Sequence, residues 1–258
     1  MSLVYAPNGL VGVLTPQANT TVEPELHLMC PPGVAMLTAR MTSDAPDLKA
    51  RLLEYYKHLP RWIAEFANAP LGAVASACTG SSYLIGAQAE DQLFDQVSRE
   101  SGRPVTNSAL AVLAALKALG AHRIALVSPY PAWLTAHSQT YWNSRGLHVQ
   151  QVVQMNTDEK AFHPVYALQS QVTAQGIADV THPDIDAVLL LGTGTPTLPA
   201  LAKHPRSSGG QPVLSCNQAL LWHALELMRG HGAAPRIEQL TDLLDDKRWR
   251  VGLVGLQN

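Results

Sequence analysis

The chain is short of charge and of cysteine, and each shortage removes a class of function. Charged residues make up 15% of its 258 residues, and the formal net charge is −2 at pH 7. Nucleic-acid binding calls for a basic face, so no nucleic-acid partner is expected. No apolar run approaches the ~20 residues needed to span a bilayer, so no membrane partner is expected either. Met1 to Asn8 has neither a basic n-region nor an apolar h-region, and no signal peptide is read there. The three cysteines, Cys30, Cys78 and Cys216, are too few and too scattered for a disulfide scaffold or a zinc site. A reducing cytoplasm is the simplest setting. No GxGxxG follows a first strand and no Walker A sequence occurs, so a nucleotide cofactor is unsupported.

Apolar residues are plentiful, at 47% of the chain, which is enough for a substantial core. Strands and helices alternate in the pattern. Gly9–Leu14, Val34–Ala39, Ala73–Ala77, His122–Ser128, Leu147–Val153, Asp186–Leu191 and Pro212–Ser215 read as strands, with a short one at Pro104–Ser108. Helices are expected after an Asp44-Ala45-Pro46 cap, over Tyr83–Ala89, Asp91–Glu100, Ala109–Leu119, Trp133–Ser144, Pro164–Gln175, Ala219–Met228 and Ile237–Leu244. Such alternation means an α/β fold with parallel strands. The length allows one large domain or two of about 130 residues.

Two strands end alike. Ala73-Val74-Ala75-Ser76-Ala77 runs into Cys78-Thr79-Gly80-Ser81-Ser82, and Asp186–Leu191 runs into Gly192-Thr193-Gly194-Thr195. Both loops are rich in backbone N–H and hydroxyl donors. This internal symmetry suggests two similar lobes facing each other across a cleft. Ligands of open α/β sheets bind at the carboxyl ends of strands, where Cys78 and Tyr130 would both lie. Beside a helix start, a cysteine gains thiolate character; otherwise Cys78 is a buried, inert residue. Asn19, in a polar loop after the first strand, is either a turn or cap residue or a donor to a substrate carboxylate.

Leu14-Thr15-Pro16-Gln17-Ala18-Asn19-Thr20-Thr21-Val22-Glu23-Pro24-Glu25, Ser76–Ser82, Ser128-Pro129-Tyr130 and Ser215–Trp222 together resemble the Asp/Glu racemase superfamily, in its maleate cis-trans isomerase and arylmalonate decarboxylase branch. The resemblance implies two Rossmann-like lobes related by a pseudo-twofold axis, with the active site in the cleft. The first lobe would be residues 1–115 and 217–258, and the second 116–216. It implies no cofactor, no metal and a small carboxylate substrate. Cys78 matches the isomerases' nucleophile, Asn19 and Tyr130 their substrate ligands, and Thr79, Gly80 and Ser81 their carboxylate-holding loop. His163 falls roughly where the isomerases carry another asparagine ligand. A homodimer is the default assembly, as the commonest symmetric one.

The chain departs from the family where racemases and isomerases carry a second cysteine. Here Gly192 or Thr193 takes that place, so Thr193 is the candidate catalytic residue and Gly192 and Gly194 candidate substrate contacts. A threonine hydroxyl is too weak a base for two-thiol racemisation. Three readings remain. The first is a maleate-isomerase-like enzyme with Cys78 as nucleophile, which expects a depressed Cys78 pKa and a covalent adduct. The second is an arylmalonate-decarboxylase-like enzyme with Cys78 as proton donor, which expects CO2 release and an apolar pocket beside the carboxylate site. The third is a carboxylate-binding protein without catalysis.

Overall fold

The computed structural model describes residues 3–157, 163–230 and 237–254. Two four-stranded sheets organise them. The first comprises β1 (Gly9–Pro16), β2 (Val34–Met41), β3 (Ala73–Ser76) and β4 (Val105–Asn107), in the order β2-β1-β3-β4. The second comprises β5 (Arg123–Ser128), β6 (His148–Gln154), β7 (Ala187–Leu190) and β8 (Val213–Ser215), in the order β6-β5-β7-β8. All pairings are parallel, and the two orders are the same once the numbers are shifted by four. The α/β fold and the internal symmetry read from the sequence are therefore present.

The strand composition follows from burial. β3, β7 and β8 are buried along their whole length, and β1 and β5 along all but the first residue. Strands covered on both faces need unbroken apolar or small residues, and AVAS, AVLL and IALV provide them. β2 and β6, each at one edge of its sheet, are only partly covered and carry polar residues among the apolar ones.

Helices cover the sheets: α1 (Val22–Met29), α2 (Leu48–Lys57), α3 (Leu59–Ala64), α4 (Gly80–Ile85), α5 (Ala87–Ser101), α6 (Ser108–Ala118), α7 (Ala132–Ser144), α8 (Ser170–Ala178), α9 (Leu198–Lys203), α10 (Cys216–Met228), α11 (Ile237–Asp245) and α12 (Lys247–Val254). After the second sheet the chain returns to the first. α10 packs on α6, β1, β3 and β4 as well as on β8, with Trp222 buried beneath it. Its start is fixed by a capping box, in which the Ser215 hydroxyl accepts from the Gln218 N–H and the Gln218 side chain accepts from the Ser215 N–H.

Several boundaries differ from the sequence reading. The cap of α2 is Asp47, three residues past Asp44, because its carboxylate accepts the Ala50 N–H at 2.8 Å. The segment Tyr83–Ala89 is split at Gly86 (φ 80°), so α4 ends at Ile85 and α5 begins at Ala87. The helix expected at Pro164–Gln175 starts only at Ser170, residues 164–167 forming turns instead. Past the helix expected at Ile237–Leu244, α12 runs to Val254, and residues 255–258 lie outside the described residues. Among the described residues, no helix is long and apolar enough to cross a membrane.

Candidate active site

The carboxyl ends of β1, β3, β5 and β7 converge on a cavity of about 230 Å³. Asn19, Cys78, Thr79, Gly80, Tyr130, Gly192, Thr193 and Gly194 line it, so eight residues expected from the sequence share one wall system. Ser81 stands behind them, bonded to Cys78. His163 lines the cavity too.

Cys78 sits two residues past β3, buried, at the first turn leading into α4. Its position is held from several sides. The Ala77 N–H continues the sheet by donating to the Leu14 carbonyl at 2.7 Å, and the Tyr56 hydroxyl donates to the Cys78 carbonyl at 2.7 Å. Cys78 Sγ lies 3.2 Å from Ser81 Oγ. The Ser81 hydroxyl gives its single proton to the Leu52 carbonyl at 2.6 Å. A hydroxyl has one proton, so towards Cys78 it accepts, and the thiol S–H is the donor. Burial pushes the Cys78 thiol up from its ordinary range, against the pull of the Ser81 and Gly80 N–H groups. The depressed pKa expected of a nucleophile is therefore corrected: no cation faces the sulfur strongly enough to offset its desolvation, and the resting group is a thiol.

Contacts between the lobes shape the rest of the wall. Asn19 fills the turn-and-cap role of its first reading. Its Oδ1 accepts from the Thr21 and Val22 N–H groups at 2.9 and 3.1 Å, at the start of α1. That fixes the amide so that Nδ2 faces across to Thr193 Oγ1, 3.4 Å away. Thr193 donates its hydroxyl to the Ala77 carbonyl at 2.8 Å. The Thr79 and Tyr130 hydroxyls share a 2.8 Å bond, which leaves one of their two protons for a ligand. Burial holds the Tyr130 phenol well above its usual range, so it is a donor at neutral pH. Behind the loop, the buried Glu25 carboxylate accepts from the Thr197 and Leu198 N–H groups and from Asn217, whose Nδ2 also donates to the Thr193 carbonyl at 3.1 Å.

The cavity contains one thiol. Gly192 has φ 88°, and a Cβ there would come within 2.9 Å of Thr195 Oγ1 and 3.3 Å of Tyr130 Oη. A side chain at that position is thus strained and crowded. Cys216 lies behind the loop, bonded to the Leu190 carbonyl at 3.3 Å and pushed up to about 12 by burial, and it does not line the cavity. Thr193 is in place, but its proton is committed to Ala77.

Sequence reasoning missed the outer half of the site. Leu48, Arg51, Leu52 and Tyr55 line it from α2, with Leu134, Val165 and Tyr166 from the second lobe. The α2 residues follow the i, i+3, i+4, i+7 spacing of an inward helical face, a signal present in the sequence. The His163 ring stacks on Tyr166 with centroids 3.7 Å apart. Among the described lining residues there is no Asp or Glu, and among the described residues no group of three or more His, Cys, Asp and Glu could hold a metal.

Comparisons with known proteins agree with this architecture. Residues 11–241 match the family described as arylmalonate decarboxylase. The maleate isomerase of Alcaligenes faecalis is 25% identical over 252 residues, covering 91% of this chain and 95% of that one. The arylmalonate decarboxylase of Bordetella bronchiseptica is 27% identical over 239 residues, covering 84% and 95%. Among solved structures, a cysteine-to-serine mutant of Nocardia farcinica maleate cis-trans isomerase, with a covalently bound succinylcysteine intermediate, superposes with a TM-score of 0.75. It is 23% identical, and the match covers 86% of this chain and 93% of that one.

Proposed function

The chain belongs to the arylmalonate decarboxylase family, and from that premise we propose that it decarboxylates a substituted malonate, with Cys78 as the proton donor. The observation that carries this reading is the direction of the Cys78–Ser81 bond. With the Ser81 proton on Leu52, Ser81 has none to give a thiolate, and the sulfur keeps its own proton until the substrate carbon takes it. The bond to the departing carboxylate breaks and its electron pair stays on the substrate as an enediolate. Asn19 Nδ2 and the free proton of the Thr79–Tyr130 pair stabilise that charge. The Cys78 S–H then protonates the carbon, and the thiolate recovers a proton from water. Leu48, Leu52, Leu134 and Val165 supply the apolar surface that a substituent on the malonate would occupy. The test is incubation with phenylmalonate in D2O, followed by proton NMR. The expected product is phenylacetate carrying deuterium at the α-carbon, lost in Cys78→Ala. Unchanged phenylmalonate with active, folded protein would remove the reading.

A second reading, covalent cis-trans isomerisation of maleate, is favoured by the position of the cysteine in the first lobe and by the 25% identity to a maleate isomerase. It requires the Cys78 thiol to ionise and add to the double bond. Its signature is a mass gain equal to maleate on wild type and not on Cys78→Ser, with fumarate in solution.

A further inference from the structure

The inward face of α2 carries a charge that packing does not call for. Leu48, Leu52 and Tyr55 are what a helix lays against a core, and Arg51 interrupts them on the same face. Arg51 is half-buried, and among the described residues its guanidinium has two long neutral contacts, to the Ala45 carbonyl at 3.3 Å and the Pro46 carbonyl at 3.4 Å. Among the described residues no carboxylate lies within ion-pair distance of it. A second unsatisfied group lies on the same cavity: His163 Nδ1 is buried with no hydrogen-bond partner. Burial and the nearby Arg51 hold that imidazole neutral, which leaves Arg51 as the fixed cation among the described lining residues.

The space between Arg51 and Cys78 is walled by rings. Tyr55 and Tyr166 are each within electrostatic reach of both the Cys78 sulfur and the Arg51 guanidinium. Tyr166 is fixed on one side by His163 and on the other by Gly194, where a Cβ would fall 2.3 Å from the ring. A cavity lined by rings and one guanidinium suits a planar body ending in an anion.

We infer that Arg51 reads a second, distal acidic group on the substrate, so that the site takes a planar acid with its reacting carboxylates at Cys78 and another carboxylate at Arg51. The inference rests on the decarboxylase reading only for the choice of probe.

The test compares phenylmalonate with (4-carboxyphenyl)malonate on wild type, Arg51→Gln and Arg51→Lys. The quantity read is the ratio of kcat/KM for the two acids, with the ratio of their dissociation constants from calorimetric titration alongside. Wild type should prefer the carboxylated acid by about ten-fold or more, a charge-assisted pair being worth at least that factor. Arg51→Gln should bring the ratio near one, and Arg51→Lys should keep part of it. A residue that merely pins the Ala45–Pro46 segment would change both acids equally and leave the ratio untouched. That outcome, or a wild-type ratio near one, overturns the inference. If neither acid loses CO2 yet the binding preference appears and vanishes in Arg51→Gln, the inference stands and the decarboxylase reading falls.

Discussion

Thr193 Oγ1 donates to the Ala77 carbonyl across the cleft at 2.8 Å, so the second lobe holds the residue immediately before Cys78. With the Thr79–Tyr130 bond and the Thr21 hydroxyl on the Gly194 carbonyl, also 2.8 Å, it ties the two half-sites together without a ligand. Thr193→Val keeps the shape and removes the donor. The Ala77 carbonyl is then buried and unpaired, which costs about 1–3 kcal/mol. Chemical denaturation should show that loss, and KM should rise as the cleft loosens.

Gly192 bears on the same wall. Gly192→Ala places a Cβ at a left-handed backbone position and against Tyr130 Oη. A loss of about 1–3 kcal/mol is expected, with a fall in kcat because Tyr130 is displaced. Gly192→Cys would carry the same strain, so adding a thiol there should not produce racemisation of a 2-substituted acid, as followed by loss of optical rotation.

The pH dependence of turnover separates donor from nucleophile. The folded thiol titrates above its ordinary range. A proton donor works below its pKa, so kcat should be level through neutral pH and fall only as Cys78 ionises on the alkaline side. A nucleophilic thiolate gives the opposite slope, rising with pH towards that pKa. Initial rates in a series of buffers at constant ionic strength decide between them.

Asp186 at the head of β7 tests the second sheet. Its carboxylate accepts the His122 and Arg123 N–H groups at 2.9 and 2.7 Å and the Arg123 guanidinium at 2.8 Å, which hold it well below the usual carboxylate range. The folded pKa lies below the unfolded one, so the stabilisation is complete above about pH 4 and is lost as pH falls further. Asp186→Asn should melt at a lower temperature at pH 7, and the gap to wild type should narrow as the acid side is approached.

Much of this was legible in the chain because the central strands are short apolar runs that end abruptly in Gly, Thr and Ser. A strand buried on both faces leaves that mark wherever it occurs, and so the sheets, the paired loops and Cys78, Asn19 and Tyr130 could be read. What could not be read depends on partners distant in sequence. The protonation of Cys78 follows from where Ser81 sends its proton, and the acceptor, Leu52, is 29 residues away. Thr193 looked like a catalytic hydroxyl until its acceptor, Ala77, was known. Arg51 carries no mark of its own in the sequence, because nothing local says which face of α2 meets the cavity. Asp44 and Asp47 both flank Pro46, and only the Ala50 N–H selects between them.

The equivalence of the two sheets has a stereochemical consequence. The loops after β3 and β7 occupy matching places in the two sheets, and both line the cavity. One of them carries a thiol and the other a glycine. An enediolate bearing two different substituents would then receive its hydrogen from the Cys78 side alone, and the acid released would be a single enantiomer. On the decarboxylase reading, the hand of the product would follow from which of the two matching loops carries the thiol.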